Sequence, residues 1–85
     1  MKIKVLLIIL LISGSNISLA DKKPPENALP LSEIILSLET QGYAPIVEVD
    51  LDRGVWEIEA YNNGEKRELK VNPTNGDIIS DKLDD

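Results

Sequence analysis

The sequence predicts an α+β fold in which one α-helix packs on an antiparallel β-meander of three or four strands. Two observations support this prediction: one segment has apolar residues at helical spacing, and from Tyr43 onward apolar and charged residues alternate. Turn dipeptides separate the alternating segments, so consecutive strands are expected to pair as hairpins. We expect a signal peptide to precede this unit.

The first 20 residues have the three-part layout of a secretory signal peptide. Two lysines stand before an unbroken apolar run over residues 5–12, and mostly small or polar residues follow. The small residue Ala20 predicts cleavage between Ala20 and Asp21. The alternative is an uncleaved N-terminal anchor, although a membrane-spanning helix needs about 20 apolar residues. Cleavage would give a periplasmic or secreted protein without stable membrane insertion.

Cleavage would change the charge of the chain. It would leave 65 of the 85 residues, with 7 of the 9 basic groups and all 15 acidic groups, so the net charge would go from −6 to −8. Such a charge repels nucleic acid and favours cations or basic partners. The chain has no His and no Cys, which excludes His-based or Cys-based nucleophilic catalysis and disulfides. We predict a non-enzymatic domain without a cofactor or a defined metal site.

The mature chain divides into a Pro-rich linker over residues 21–30 and a domain over residues 31–85. Within the domain, residues 31–41 are the helix candidate, with Ser32 as the predicted N-cap and Gly42 as the left-handed residue that ends it. The apolar residues of this segment share one face: Leu31, Ile34, Ile35 and Leu38. Leu36 lies off this face, either as a lone exposed leucine or as part of a contact patch.

The strand register follows from two turns, Arg53-Gly54 and Asn63-Gly64. If each is a two-residue turn, four opposed apolar pairs fall on one face of the sheet. The four pairs are Val49 with Ile58, Leu51 with Trp56, Ile58 with Leu69, and Trp56 with Val71. The helix would cover this face, with Trp56 near the centre of the core.

A fourth strand is predicted over about residues 77–81, after the turn at residues 73–76. Its inward residue stays open from the sequence, because Ile78 and Ile79 are adjacent and cannot both face the core. A four-residue loop pairs Val71 with Ile78, whereas a bulge at Gly76 would turn Ile79 inward.

The same register predicts like charges opposite each other on the outer face. Asp50 lies opposite Glu57, and Glu59 lies between Glu48 and Glu68; only the pair of Glu57 with Lys70 is favourable, with Lys66 and Arg67 at the far end. Five carboxylates therefore form the candidate binding site, which we call the acidic face: Glu48, Asp50, Glu57, Glu59 and Glu68. It would bind a basic partner or a hard cation, or alternatively would only keep a small secreted protein soluble.

Several short motifs resemble the PepSY domain family over residues 28–82. In chain order they are Leu29-Pro30-Leu31-Ser32-Glu33-Ile34, Gln41-Gly42-Tyr43, Gly54-Val55-Trp56-Glu57-Ile58, Gly64-Glu65, and Val71-Asn72-Pro73-Thr74-Asn75-Gly76-Asp77-Ile78. One departure is that Thr74 stands one place earlier than the family's usual Thr, and Asn75 occupies the position before Gly76. Because Asn tolerates left-handed backbone, we expect the turn to form.

The resemblance implies a helix on an antiparallel sheet, a location outside the cytoplasm and no enzymatic activity. Related domains occur in propeptides of secreted metallopeptidases and in proteins that control cell-wall lytic enzymes. Our leading hypothesis is therefore a secreted or periplasmic binding module that docks on and modulates a protein partner, such as a peptidase or an envelope sensor. Docking would use the acidic face or an added strand at a sheet edge. The alternative is a cation-responsive, calcium-type ligand-binding protein that uses the same acidic face.

Overall fold

A computed structural model describes residues 22–84, and it confirms the predicted α+β fold: one helix packs against a four-stranded antiparallel open sheet. The strands follow one another across the sheet in chain order, so each connection is a hairpin. The predicted signal peptide lies outside the described residues. The elements are α1 (Leu31–Thr40), β1 (Ile46–Asp52), β2 (Val55–Asn62), β3 (Glu65–Val71) and β4 (Ile78–Leu83).

Helix α1 begins differently from the prediction and ends as predicted. Ser32 is already inside the helix; Pro30 is the N-cap residue, and no side chain caps this end. The prediction was wrong because Pro30 supplies both the fixed φ and the carbonyl that accepts the first helical N–H groups. At the other end Gly42 has a φ of +100°. Its N–H and that of Tyr43 bond back into the last turn, which is the Schellman arrangement.

The predicted register of the first three strands is confirmed at each of the four apolar pairs. Val49 and Leu69 flank Ile58, and Leu51 and Val71 flank Trp56. Both turns have positive φ at both central residues, which is the type I′ geometry that matches the twist of a hairpin. These turns hold β2 in register with both of its neighbours.

The structure of the fourth strand shows which of Ile78 and Ile79 faces the core. Val71 pairs with Ile78, and the register then shifts by one residue so that Lys70 pairs with Ser80. Ile78 packs against the core, whereas Ile79 sits at the bulge with 57% of its surface exposed. The strand runs two residues further than predicted, to Leu83.

The core lies between the helix and the inner face of the sheet. Ile34 and Leu38 from the predicted helix stripe are fully buried, and Leu36 is exposed. Trp56 is only partly buried, so its predicted place at the centre of the core was wrong. Its indole N–H is buried without a hydrogen-bond partner among residues 22–84. The central residues of the core are Ile34, Leu38, Ile58, Ala60, Leu69 and Val71.

The turn between β3 and β4 forms, but not in the way expected for Asn75. Only Gly76 adopts positive φ there, and Asn75 does not. The side-chain oxygen of Asn75 instead accepts the N–H of Asp77 at 2.9 Å, and that of Asn72 accepts the N–H of Thr74 at 2.9 Å. Two side-chain-to-backbone bonds therefore stabilise the turn.

Arg53 supplies a test of the turn assignment. Its φ of +52° is close to the +53° of Asn63 in the second turn, but left-handed backbone is strained for a long side chain and easy for Asn. We expect Arg53→Asn to stabilise the fold by about 0.5–1 kcal/mol. Urea unfolding measures the change.

The matched variant is Asn63→Arg, which should lose a similar amount because it places the strained residue in the other turn. Equal stability of both variants and the wild type would contradict the type I′ assignment.

Candidate functional site

The acidic face is formed by the strand positions that alternate with the core. Because successive side chains of a strand point to opposite faces, burial of Ile58 places its neighbours Glu57 and Glu59 outward. The structure confirms the opposed like charges: Glu48, Glu59 and Glu68 form one row across three strands, and Asp50 faces Glu57 in the next row. All five predicted site residues thus lie on one surface.

Three lysines partly neutralise this face. The Lys66 amine lies 3.2 Å from a carboxylate oxygen of Glu59, and the Lys70 amine lies 3.2 Å from one of Glu57. The third cation, Lys22, comes from the segment before the helix and approaches Asp50 at 3.5 Å. The hydrogen bond and charge of Glu59 raise the pKa of Lys66 above its ordinary value, so this amine stays charged.

Two carboxylates have no such neighbour. Within residues 22–84, Glu48 and Glu68 take part in no ion pair, although Lys82 is the register partner of Glu68. They stand on either side of Glu59, whose single lysine is shared with Asp84 at 3.8 Å. The row of three acids therefore keeps excess negative charge at the middle of the outer sheet face.

The five residues of the acidic face line a small, open depression. Ile58 contributes to its floor, and because its side chain is fully buried on the opposite face, the floor there is backbone. The depression is lined by charged side chains and lacks the apolar concave walls of most small-molecule sites. It is suited to contact with a cationic group rather than to enclosure of a substrate.

The cation alternative finds no support in this geometry. Among residues 22–84, no group of three or more acidic side chains is arranged to hold a metal ion. The acids lie along and across strands and do not converge on one point, whereas a calcium site needs six to eight oxygen ligands around one ion.

A family model described as the peptidase propeptide and YPEB domain matches residues 4–82. The chain belongs to this family, the PepSY family. The match covers nearly the whole chain, and the family is one of propeptide-type regulatory domains rather than of catalytic domains. Searches of curated proteins and of solved structures gave no significant match. Over residues 22–84, the PepSY chain has no helix with the length and apolar character needed to cross a membrane.

A second polar cluster of this PepSY domain was missed by sequence reasoning. The Tyr43 hydroxyl donates a hydrogen bond of 2.6 Å to one carboxylate oxygen of Asp81, and Arg67 approaches the other oxygen at 2.9 Å. The signal available in the sequence was weak, because the bulge at Ile79 sets which face Asp81 occupies.

The cluster shifts the ionisation of its members. The hydrogen bond from Tyr43, followed by the bond and charge of Arg67, holds the pKa of Asp81 below its ordinary value. The hydrogen bond to Asp81, with burial and the negative charge of that carboxylate, raises the pKa of Tyr43. The bond thus stabilises the fold above the ordinary pKa of Asp, about 4, and below that of Tyr, about 10. Its contribution is lost as pH falls through the lowered pKa of Asp81 or rises through the raised pKa of Tyr43.

Tyr43→Phe should therefore destabilise the domain in a pH-dependent way. We expect a loss of about 1 kcal/mol near neutral pH, below the usual range of about 1.5–3 kcal/mol for a bond to a charged group because Asp81 is exposed. Thermal unfolding of variant and wild type across pH should show the difference shrinking at both the acid and the alkaline extreme.

Tyr61→Phe is the matched control, because the Tyr61 hydroxyl forms no hydrogen bond within the described part of the chain. A penalty of equal size and equal pH profile in both variants would show that the Tyr43–Asp81 bond is not its source.

Proposed function

We propose that this PepSY domain is a non-enzymatic binding module that docks through its acidic face on a cationic protein surface and modulates that partner. The observation behind the proposal is the row of Glu48, Glu59 and Glu68, in which like charges are opposed on three adjacent strands. The family description supports a peptidase as one class of partner, and an envelope protein is another.

The energy of the row favours a functional interpretation. Each directly opposed pair of like charges destabilises a sheet by up to about 1 kcal/mol before screening by salt. A small domain has only about 5–15 kcal/mol of stability in total. If solubility alone had been selected, charges of alternating sign would give it without this cost. Cationic side chains of a partner would attract these carboxylates and offset the repulsion among them.

The form of the surface favours a protein partner over a small molecule. The depression is small and open, and its mostly polar lining matches a contact surface rather than an enclosing pocket. Charge complementarity of this kind raises association rates and sets specificity, and it weakens as salt increases.

The two edges of the sheet are less suited to docking. Edge strand β1 has an irregularity between Ile46 and Glu48, and edge strand β4 has one at Ile79. Bulges and charged residues at edges are the devices by which sheets avoid pairing with further strands. Of the two docking modes that the sequence left open, the face is therefore favoured over an added strand.

A location outside the cytoplasm fits the proposal. The predicted signal peptide over residues 1–20 supports export, and with it a periplasmic or secreted domain that is free of the membrane after cleavage. The absence of His and Cys from the sequence removes His-based and Cys-based catalysis, which is consistent with binding.

Charge reversal on β1 tests the proposal. Glu48→Lys combined with Asp50→Lys would place lysines opposite Glu59 and Glu57 and replace two repulsive pairs by attractive ones, while removing the exposed Lys22–Asp50 pair. We expect the double variant to be more stable by about 1 kcal/mol and to lose capture of the partner in pull-downs from an envelope extract. Loss of binding together with a gain in stability separates a docking role from a folding role.

The control for capture is Glu33→Lys with Glu39→Lys, which makes the same change in charge on the exposed side of the helix. If the β1 variant captures the same proteins as the wild type, the acidic face is not the docking surface. If both variants lose capture equally, only the net charge matters.

A further inference from the structure

The segment before the helix contacts the rest of the domain at both of its described ends. At one end, the Leu29 N–H donates a 2.8 Å hydrogen bond to the carbonyl of Pro73, and the Leu29 side chain packs against the core. At the other end, Lys22 reaches the acidic face at Asp50. Residues 22–29, which we call the strap, therefore connect the turn between β3 and β4 with edge strand β1.

The strap also has little conformational freedom of its own. Pro24 and Pro25 fix two φ angles, and the Ala28 N–H closes a turn with the Pro25 carbonyl at 3.0 Å. A tethered group with few accessible conformations has a high effective concentration at its site. The amine of Lys22 is thus presented repeatedly to Asp50 even though the ion pair itself is weak.

We propose that the strap is an intramolecular competitor for the acidic face: Lys22 occupies the Asp50 side of the face, and a cationic partner has to displace it. This inference rests on the proposed function. A partner's ammonium or guanidinium group and Lys22 have the same chemistry, so they compete for the same carboxylate. Displacement would release residues 22–26, while Leu29 would stay anchored in the core.

The exposure of the ion pair suits a contact that can be displaced. The side chains of Lys22 and Asp50 are 62% and 54% exposed, and exposed pairs typically contribute 0.2–1 kcal/mol. Within this range, a pair that contributes about 0.4–1 kcal/mol lowers the affinity of a competitor by only about two- to fivefold. The strap would tune partner binding without closing the face permanently.

Lys23 offers a matched comparison. It is the next residue of the strap, it is exposed, and it takes part in no ion pair within residues 22–84. Lys22→Ala and Lys23→Ala change the net charge equally, but only the first removes a contact with the acidic face.

The test is calorimetric titration of the mature chain and of each variant with a short oligolysine peptide at physiological ionic strength. We expect Lys22→Ala to bind the peptide about two- to fivefold more tightly than the wild type, and Lys23→Ala to show a clearly smaller change. NMR relaxation should show that Lys22→Ala increases the backbone mobility of residues 22–26 and leaves that of Leu29 unchanged.

The outcomes separate this inference from the proposed function. If the peptide binds at the acidic face but the two alanine variants gain equally or not at all, the strap is not a competitor, while the docking face stands. If Glu48→Lys with Asp50→Lys leaves peptide binding unchanged, the peptide does not use the face, and both proposals fail.

Discussion

The register of β2 with its two neighbours is the constraint on which the rest of the structure depends. It is set by two type I′ turns, at Arg53-Gly54 and Asn63-Gly64. A slip of one residue at either turn would bring one strand's carboxylates onto the core side and its apolar residues into water. The same two turns thus determine both the hydrophobic core and the acidic face, and a change of register would disrupt both surfaces together.

This coupling explains how a small domain without disulfides tolerates opposed like charges. Burial of Ile58 and Leu69 under the helix enforces the register, because exposing these side chains would cost about 1.5–3 kcal/mol each. That penalty exceeds the repulsion in the row of Glu48, Glu59 and Glu68. The outer face is therefore held in an arrangement that its own charges oppose, and it remains available for a group of opposite sign.

The sequence was sufficient for the features that depend on local turn chemistry and strand alternation. The three hairpin strands, the inward pairs and the five acidic residues all follow from the two turns. The sequence was insufficient at the start of the helix. Ser32 is the more typical N-cap residue, but Pro30 occupies the N-cap position. The sequence also failed where a bulge changed the register: the orientation of Ile79, and with it the contact between Tyr43 and Asp81, depends on packing between residues 38 positions apart.

The two faces of the sheet differ in composition, and the position of Trp56 shows where the core ends. The largest side chain lies at the border of the core rather than at its centre, which is filled by smaller aliphatic residues from the helix and the sheet. This core occupies only one side of a single sheet. The outer side does not contribute to the core, so its residues can be charged. Because one sheet layer provides no deep cleft around its outer carboxylates, they can attract and orient a partner but cannot isolate a reacting group from water. The architecture is thus consistent with the proposed docking role, independently of the missing His and Cys.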